Sequence, residues 1–324
     1  MLGFLKSRAY TIGVDLGDDT LKLVQLTENG KGVNLIAGRS ECRPKDIEPG
    51  SSSWQKWVID AIHRLMSNDD FRGKDATAAM PSNNLYIDHM KMPKKSEGEV
   101  QEALFSRIRQ KLPFQATIEN TVVEYFPTEN DNVLVMAAER AIIDRLLAIY
   151  EKTGLHLKTI SVWPMALTTC YAKFFGRRQS DLDAVVMLLC IEPTVANVVI
   201  CRHKNPLFAH SISIGAEQFG DEQAVTRLVL ELTGCRRQFS SIYRDVQIER
   251  LIFLAGRGID KEICTAIARQ LEIPAQVGDC LAAVKIAESY RLGIDRRTPA
   301  ASQAGEVQRQ QQVNWATAFG LCLS

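Results

Sequence analysis

The chain has 324 residues, 46% of them hydrophobic and 24% charged, enough length for about two domains and enough apolar content for a substantial core. A formal net charge of +1 gives no bulk electrostatic pull toward nucleic acid or an anionic membrane. The eight cysteines are scattered, with no C-x-x-C pair and no Cys/His cluster at zinc-finger spacing, and the five histidines are dispersed. The cysteines therefore read as small buried hydrophobes of a reducing cytosol, and no histidine reads as a metal ligand. No stretch approaches the roughly 20 apolar residues of a membrane span, and the apolar part of residues 1–8 is too short for a signal peptide. The expected location is the cytoplasm, without direct membrane insertion, so a partner must hold the protein at any membrane where it works.

Ile12, Val14 and Leu16 alternate with smaller or polar residues, the period of a strand with one buried face. After Gly17-Asp18-Asp19-Thr20 the alternation resumes at Leu21, Leu23 and Gln25, which makes a hairpin. The backbone N–H groups of such a loop can converge on an anion. Asp15 is placed to orient a hydrated metal, and Lys22 to meet a phosphate as a point charge. An ordinary hairpin with a solvated acidic turn fits the same residues. A turn at Asn29-Gly30-Lys31 leads to a third strand over 33–37, and residues 42–53 form a Pro/Gly/Ser-rich connection. Trp54, Trp57, Val58, Ala61, Ile62, Leu65 and Met66 then recur at helical spacing, with Ser51 to Ser53 as cap candidates. Residues 75–80 read as a buried strand ending at Pro81.

From Tyr86 the pattern is that of a half-exposed strand. Ser96 and Glu99 make a capping-box pattern before a helix that carries Val100, Ala103, Leu104, Ile108 and Leu112 and stops before Pro113. Strands over 121–126 and 132–138 and a helix over 141–152, closed by Gly154, complete a compact α/β unit. A strand over 156–162 and a helix over 164–175 precede the polar break at residues 177–181. Residues 183–201 again read strand, short loop, strand, followed by a turn at His203-Lys204-Asn205-Pro206 and a third strand over 207–214. A meander that recurs some 170 residues later points to two related halves facing each other. Helices over 216–232 and 236–246, a strand over 251–255 and a helix through Leu271 follow. Residues 298–312, rich in Ala, Ser and Gln, read as a linker, and 313–323 as an apolar segment that packs back on the first half. No G-x-S-x-G, H-E-x-x-H or Walker A pattern occurs. Arg107, Arg109 and Lys111 read as a solvated basic flank, and Glu139 with Arg140 as a structural ion pair.

Ile12 to Gly17 with Thr20 to Val24 resembles the first phosphate loop of the actin-like ATPase superfamily. The order of further segments narrows the resemblance to the PilM family of type IV pilus assembly, relatives of FtsA. These segments are Ala79-Met-Pro-Ser, Met90-Lys-Met-Pro, Lys111-Leu-Pro-Phe114, residues 133–139, Gly154-Leu-His-Leu157, Ile214-Gly-Ala-Glu-Gln-Phe219, Leu254-Ala-Gly-Arg-Gly258 and Ala318-Phe-Gly-Leu321. The resemblance implies an α/β, actin-like (ribonuclease H-like) two-domain fold with an inserted small α/β subdomain. Residues 1–180 and 305–324 would form the first half, with 86–160 inserted, and 181–304 the second.

In that fold ATP with Mg sits between the halves. Carried across, Gly17, Asp18, Asp19, Thr20 and Lys22 are the first phosphate loop and Asp15 is the Mg-side carboxylate. Glu192 and Thr194 stand in the second loop, and Gly256 and Gly258 border the nucleoside. The sequence departs from the family where Asp18 and Asp19 replace hydroxyl residues, and where Cys190-Ile191-Glu192-Pro193-Thr194 replaces Asp-Ile-Gly and small hydroxyls. Arg257 also interrupts the glycine run. The second loop thus lacks its glycine and, at Pro193, an N–H donor, so the nucleotide site is expected to be degenerate.

The resemblance further implies a scaffold, not an enzyme, that binds the cytoplasmic tail of a PilN-like inner-membrane protein of a pilus or secretion machine. The implied site is the inserted subdomain, at Met90, Met92 and Phe114, with Lys91, Lys94 and Lys95 around it. Core methionines and solvated lysines are the alternative. The chain would be peripheral to the inner membrane through that partner, and a homo-oligomer is open. Rival readings are an actin-like ATPase or small-molecule kinase, and the cytoplasmic domain of the L protein of type II secretion.

Overall fold

The first meander forms where its alternation predicts strands, with β1 (Arg8–Ala9), β2 (Ile12–Leu16), β3 (Thr20–Asn29) and β4 (Gly32–Cys42) in the order of the chain, but β2 and most of β3 are buried on both faces and not on one. The third strand runs to Cys42, past the expected end at Ala37, because β3 is long enough to pair with it as far as Thr20. The structure is a computed structural model that describes residues 8–17, 19–30, 32–67, 70–94, 96–256, 259–286 and 313–324. Helix α1 (Ser52–Met66) starts where Ser51 accepts the N–H of Trp54 at 3.1 Å, and it buries Trp54, Trp57, Val58, Ala61 and Ile62. Strand β5 (Asp75–Met80) then lies parallel to β2.

Next come β6 (Tyr86–Lys91), α2 (Glu97–Ile108), β7 (Thr121–Pro127) and β8 (Asn132–Glu139). The three strands make a separate antiparallel sheet in the order β6-β8-β7, and Val100, Leu104 and Ile108 of α2 pack on Val133, Val135 and Ala137. Ser96 donates to Glu99 at 2.6 Å at the start of α2. The helix stops at Ile108, short of Pro113, and Leu112 is buried from the turn that follows.

Helix α3 (Arg140–Thr153) ends at Gly154, whose φ of 69° is the left-handed conformation that glycine adopts without strain. Leu146, Ile149 and Tyr150 of α3 share a core with Trp54 and Trp57, and β9 (His156–Val162) pairs parallel with β5. The separate sheet of the insertion therefore spans 86–139, a narrower unit than 86–160. Residues 140–160 rejoin the first half because β9 completes the edge of β5 and the apolar stripe of α3 packs against α1.

Helix α4 (Trp163–Phe174) is buried on nearly all sides, and the short α5 (Gln179–Asp183) follows. The second meander is β10 (Val185–Ile191), β11 (Ala196–Arg202) and β12 (Asn205–Ile212). Helix α6 (Glu222–Ile242) is one continuous helix where two were expected. Its buried stripe of Leu228, Val229, Leu232, Cys235 and Phe239 carries the helix through Gly234. Then come β13 (Arg250–Leu254), α7 (Lys261–Leu271), β14 (Ala275–Gly278), β15 (Lys285–Ile286) and α8 (Ala316–Leu323).

The strands build a seven-stranded sheet, β15-β4-β3-β2-β5-β9 with β1 on β3, and a five-stranded sheet, β12-β11-β10-β13-β14. β2 is parallel to β5 as β10 is to β13, so both halves join an antiparallel meander to a parallel crossover. One core spans the halves: Val24 and Leu26 meet Leu167, Val186, Leu188 and Ile252, with Trp315 and Phe319. Helix α8 packs so tightly on α4 that a Cβ at Gly320 would lie 1.8 Å from the Ala166 carbonyl oxygen. The apolar end thus covers the first half, as its composition predicts. β15 pairs with β4, so the chain is back on the first sheet before residue 304. The expected linker at 298–312 lies outside the described residues.

The insertion covers the β12 edge of the second sheet. His89 stacks on Phe208 with ring centroids 4.3 Å apart, and its Nε2 accepts the N–H of Ala209 at 3.0 Å. The hydroxyls of Thr128 and Tyr243 lie 2.7 Å apart, and Arg202 donates to Glu129 at 2.7 Å. Burial lowers the His89 pKa to about 4.

Candidate functional site: the cleft between the hairpins

Register decides what each hairpin presents. Asp15 of β2 pairs directly with Lys22 of β3, so both side chains rise from the same face, and Lys22 Nζ reaches Asp15 Oδ2 at 3.1 Å. In the second half the last pair of β10 and β11 is Ile191 with Ala196. The residues between make a tight turn, closed by Glu192 N–H donating to Val195 at 2.9 Å. The two turns meet. Lys22 Nζ lies 2.7 Å from Glu192 Oε2, and Thr194 Oγ1 donates to Asp19 Oδ2 at 2.6 Å. Arg43 holds the other oxygen of Asp19 at 3.0 Å. The lysine side chain is 2% exposed, that of Asp15 10% and that of Glu192 16%.

The second turn is braced from behind. The carbonyls of Glu192 and Pro193 accept the N–H groups of Ala216 and Glu217, both at 2.9 Å. A Cβ at Gly215 would fall 2.4 Å from the Pro193 oxygen, so only glycine permits this approach. Asn314 Nδ2 donates to the carbonyls of Ile191 at 3.0 Å and Leu254 at 2.9 Å, while its Oδ1 accepts the N–H of Ala316 at 3.1 Å. One buried amide thus ties the ends of β10 and β13 to the start of α8.

One cation lies between two carboxylates, so the buried triad carries net negative charge when both are ionised. Burial raises the Glu192 carboxyl to about 7, with the Asp15 charge adding to the rise and Lys22 opposing it. Burial pulls the Lys22 ammonium down, but Asp15 and Glu192 together push it above its ordinary value. The space left between the hairpins is a cavity of about 40 Å³, lined among others by Gly17, Ser82, Trp163, Pro193 and Asn197. That is about the volume of one water. Trp163 Nε1 and Asn197 Oδ1 line it as buried polar atoms without a partner among the described residues.

The structure brings together Asp15, Gly17, Asp19, Thr20, Lys22, Glu192 and Thr194 around this cavity. The N–H of Gly17 is spent within its own loop, on the Thr20 carbonyl at 3.1 Å. Gly256 follows β13 and is not part of the cavity wall, where Trp163 and Thr317 stand instead. Asp18 and Gly258 lie outside the described residues, as does Lys95.

Met90, Met92 and Phe114 are half-buried and pack on the insertion's own core. Lys91 donates to the Asn130 carbonyl at 2.7 Å, and Lys111 pairs with Asp88 at 2.7 Å. The expected Glu139–Arg140 pair is replaced by a bond from Arg140 Nε to the Glu119 carbonyl at 2.7 Å. Arg43, Trp163, Asn197 and Asn314 escaped sequence reasoning. Only Asn314 carried a signal, as a polar residue opening an apolar segment.

Residues 13–228 match the family described as type IV pilus assembly protein PilM. Among solved structures, a PilM–PilN type IV pilus biogenesis complex matches with a TM-score of 0.73 at 19% identity, over 97% of this chain and 98% of that one. A Bacteroides thetaiotaomicron protein with an actin-like ATPase fold and unknown function matches at 0.52 and 12% identity, over 88% and 96%. The cytoplasmic domain of EpsL, an inner-membrane component of the Vibrio cholerae type II secretion system, matches at 0.50 and 9% identity, over 94% of each chain. No curated protein matches by sequence. Among the described residues no helix is long and apolar enough to cross a membrane. With two facing halves of actin-like ATPase fold and a family match over more than half of its length, the chain belongs to the PilM family of type IV pilus assembly proteins.

Proposed function

We propose that this chain is a scaffold of a type IV pilus or related secretion machine, and that its cleft takes no nucleotide. The observation that carries this reading is the Lys22–Glu192 bridge across a cavity of about 40 Å³. Pockets for molecules of drug size run to roughly 300–1,000 Å³. Asp15, Asp19 and Glu192 would all face an incoming triphosphate, and the cation suited to it is already held by two of them. Pro193 has no N–H to offer. The residues present do not fit ATP with Mg.

The partner is a short cytoplasmic tail of a PilN-like inner-membrane protein, which would place the chain at the cytoplasmic side of that membrane. Family membership and the fold shared with the PilM–PilN complex support this. The inserted subdomain is its site, with Met90, Met92 and Phe114 at hand as adaptable apolar contacts. Calorimetry with ATP and Mg should show no binding heat, and a tail peptide should bind without nucleotide. Met90→Gln with Phe114→Gln, folded by circular dichroism, should abolish peptide binding. ATP binding at micromolar affinity, or full tail binding by the folded double variant, overturns the corresponding half of the reading.

A further inference from the structure

The two edges of the five-stranded sheet differ. At one, β12 is covered by the insertion, where His89 accepts the Ala209 N–H. At the other, β14 pairs only with β13 among the described residues. The N–H of Leu251 donates to the Pro274 carbonyl at 2.9 Å, and this sets the phase of the strand. Backbone groups of successive strand residues point to opposite sides, so Pro274 and Gln276 turn theirs toward β13. Ala275 and Val277 turn their N–H and C=O groups outward. Ile273 is buried in the core that α7 shares, and the period of two puts Ala275 and Val277 on that same face. There they are exposed, Val277 to 44%.

Between this edge and α7 runs a groove of about 580 Å³, with Phe253, Cys264, Ala268, Ala275 and Val277 along it. Lys261 and Arg269 stand on its α7 side against one acid, Glu272, and neither cation has an ion-pair partner among the described residues. An open strand edge beside an apolar groove is the arrangement that accepts an added strand.

We propose that β14 and α7 form a docking site for an extended acidic segment of a partner protein, which adds to the sheet beside β14. Its backbone pairs with the outward groups of Ala275 and Val277. Side chains of the added strand alternate between the faces of the sheet; on the α7 face a central apolar one enters the groove, and acids two residues to either side of it meet Lys261 and Arg269. Charge selects this occupant over a second copy of the chain, because pairing β14 with β14 would bring the Lys261 and Arg269 of both copies together. The strand has four residues, so backbone pairing alone is weak and the groove and the two cations supply the selectivity.

The test uses fluorescence polarisation with two labelled peptides of about ten residues, with threonine at the intervening positions, that differ only in carrying glutamate or lysine two residues to either side of a central valine. The glutamate peptide should bind at least ~tenfold more tightly than the lysine peptide, and Lys261→Glu with Arg269→Glu should reverse that order. Val277→Pro removes an outward N–H and no bond of the sheet, so it should weaken the glutamate peptide at least ~tenfold at unchanged melting temperature. Thr265→Tyr, at an exposed position of α7 beside the groove, blocks it without touching the strand and should do the same. No binding of the glutamate peptide, equal binding of both peptides, or full binding by both folded variants overturns the proposal. So does a wild-type dimer in sedimentation that Val277→Pro turns into monomer, since the edge would then belong to a second copy.

Discussion

Replacing Lys22 by methionine tests whether the cleft is held shut by charge. The variant keeps most of the volume of a side chain that is 2% exposed and removes the cation that, among the described residues, lies between Asp15 at 3.1 Å and Glu192 at 2.7 Å. Two carboxylates then face each other with little water. Breaking a buried ion pair by deleting one partner costs about 3–5 kcal/mol, most of it from the charge left behind. With ~2 cal/mol/K of unfolding entropy per residue over 324 residues, the melting temperature should fall by about 5–8 °C. The loss should be smaller at pH 6 than at pH 8, because the Glu192 carboxyl already titrates near 7 and escapes the repulsion by taking a proton. Adding Asp15→Asn and Glu192→Gln removes the stranded charges, and this triple variant should recover to within about 1 kcal/mol of the parent. Thermal melts followed by circular dichroism at both pH values, with urea titrations at 25 °C, measure all of this. A Lys22→Met protein as stable as the parent, or a triple variant no better than the single one, would refute the reasoning.

The folded pKa of Glu192, about 7, lies above its ordinary 4.5, so its contribution is fully present below 4.5 and is lost as pH rises through 7. Glu192→Gln should flatten that part of the stability-versus-pH curve, as urea midpoints across the range will show. His89 has the opposite sign: a folded pKa of about 4 against an ordinary 6.5 means that stability present above 6.5 is lost as pH falls through 4. His89→Leu should blunt this acid limb and cost about 1–3 kcal/mol at pH 7, since the Ala209 N–H loses its acceptor. Gly320→Ala should destabilise by about 1–3 kcal/mol or more, because its Cβ would lie 1.8 Å from a backbone oxygen that a packed helix cannot withdraw. A lowered urea midpoint at unchanged slope would report it.

Local features were legible wherever the physics is local. The alternation of Ile12, Val14 and Leu16 around a glycine-containing turn made the first hairpin, and its recurrence past Asp183 announced the second half. Ser51 caps α1 by accepting the N–H of Trp54, and Gly154 closes α3, both within a turn of the helix each one bounds. The apolar segment at 313–323 packs on the first half because burial is its only favourable outcome in water.

The sequence missed what depends on distance across the fold. The insertion narrowed to 86–139 because β5 offered an edge that β9 could fill, and α6 ran unbroken through Gly234 because its buried stripe continues on the far side. The same holds at the cleft. Glu192-Pro193 marked an altered loop, and Lys22 a cation suited to phosphate. Nothing in their order placed an ammonium 2.7 Å from a carboxylate 170 positions away. An ion pair of that kind is decided by how two halves close on each other, and its strength by the water they exclude. By itself the sequence determined two meanders, their caps and the charges at their turns. Only the tertiary structure decided that those charges satisfy one another.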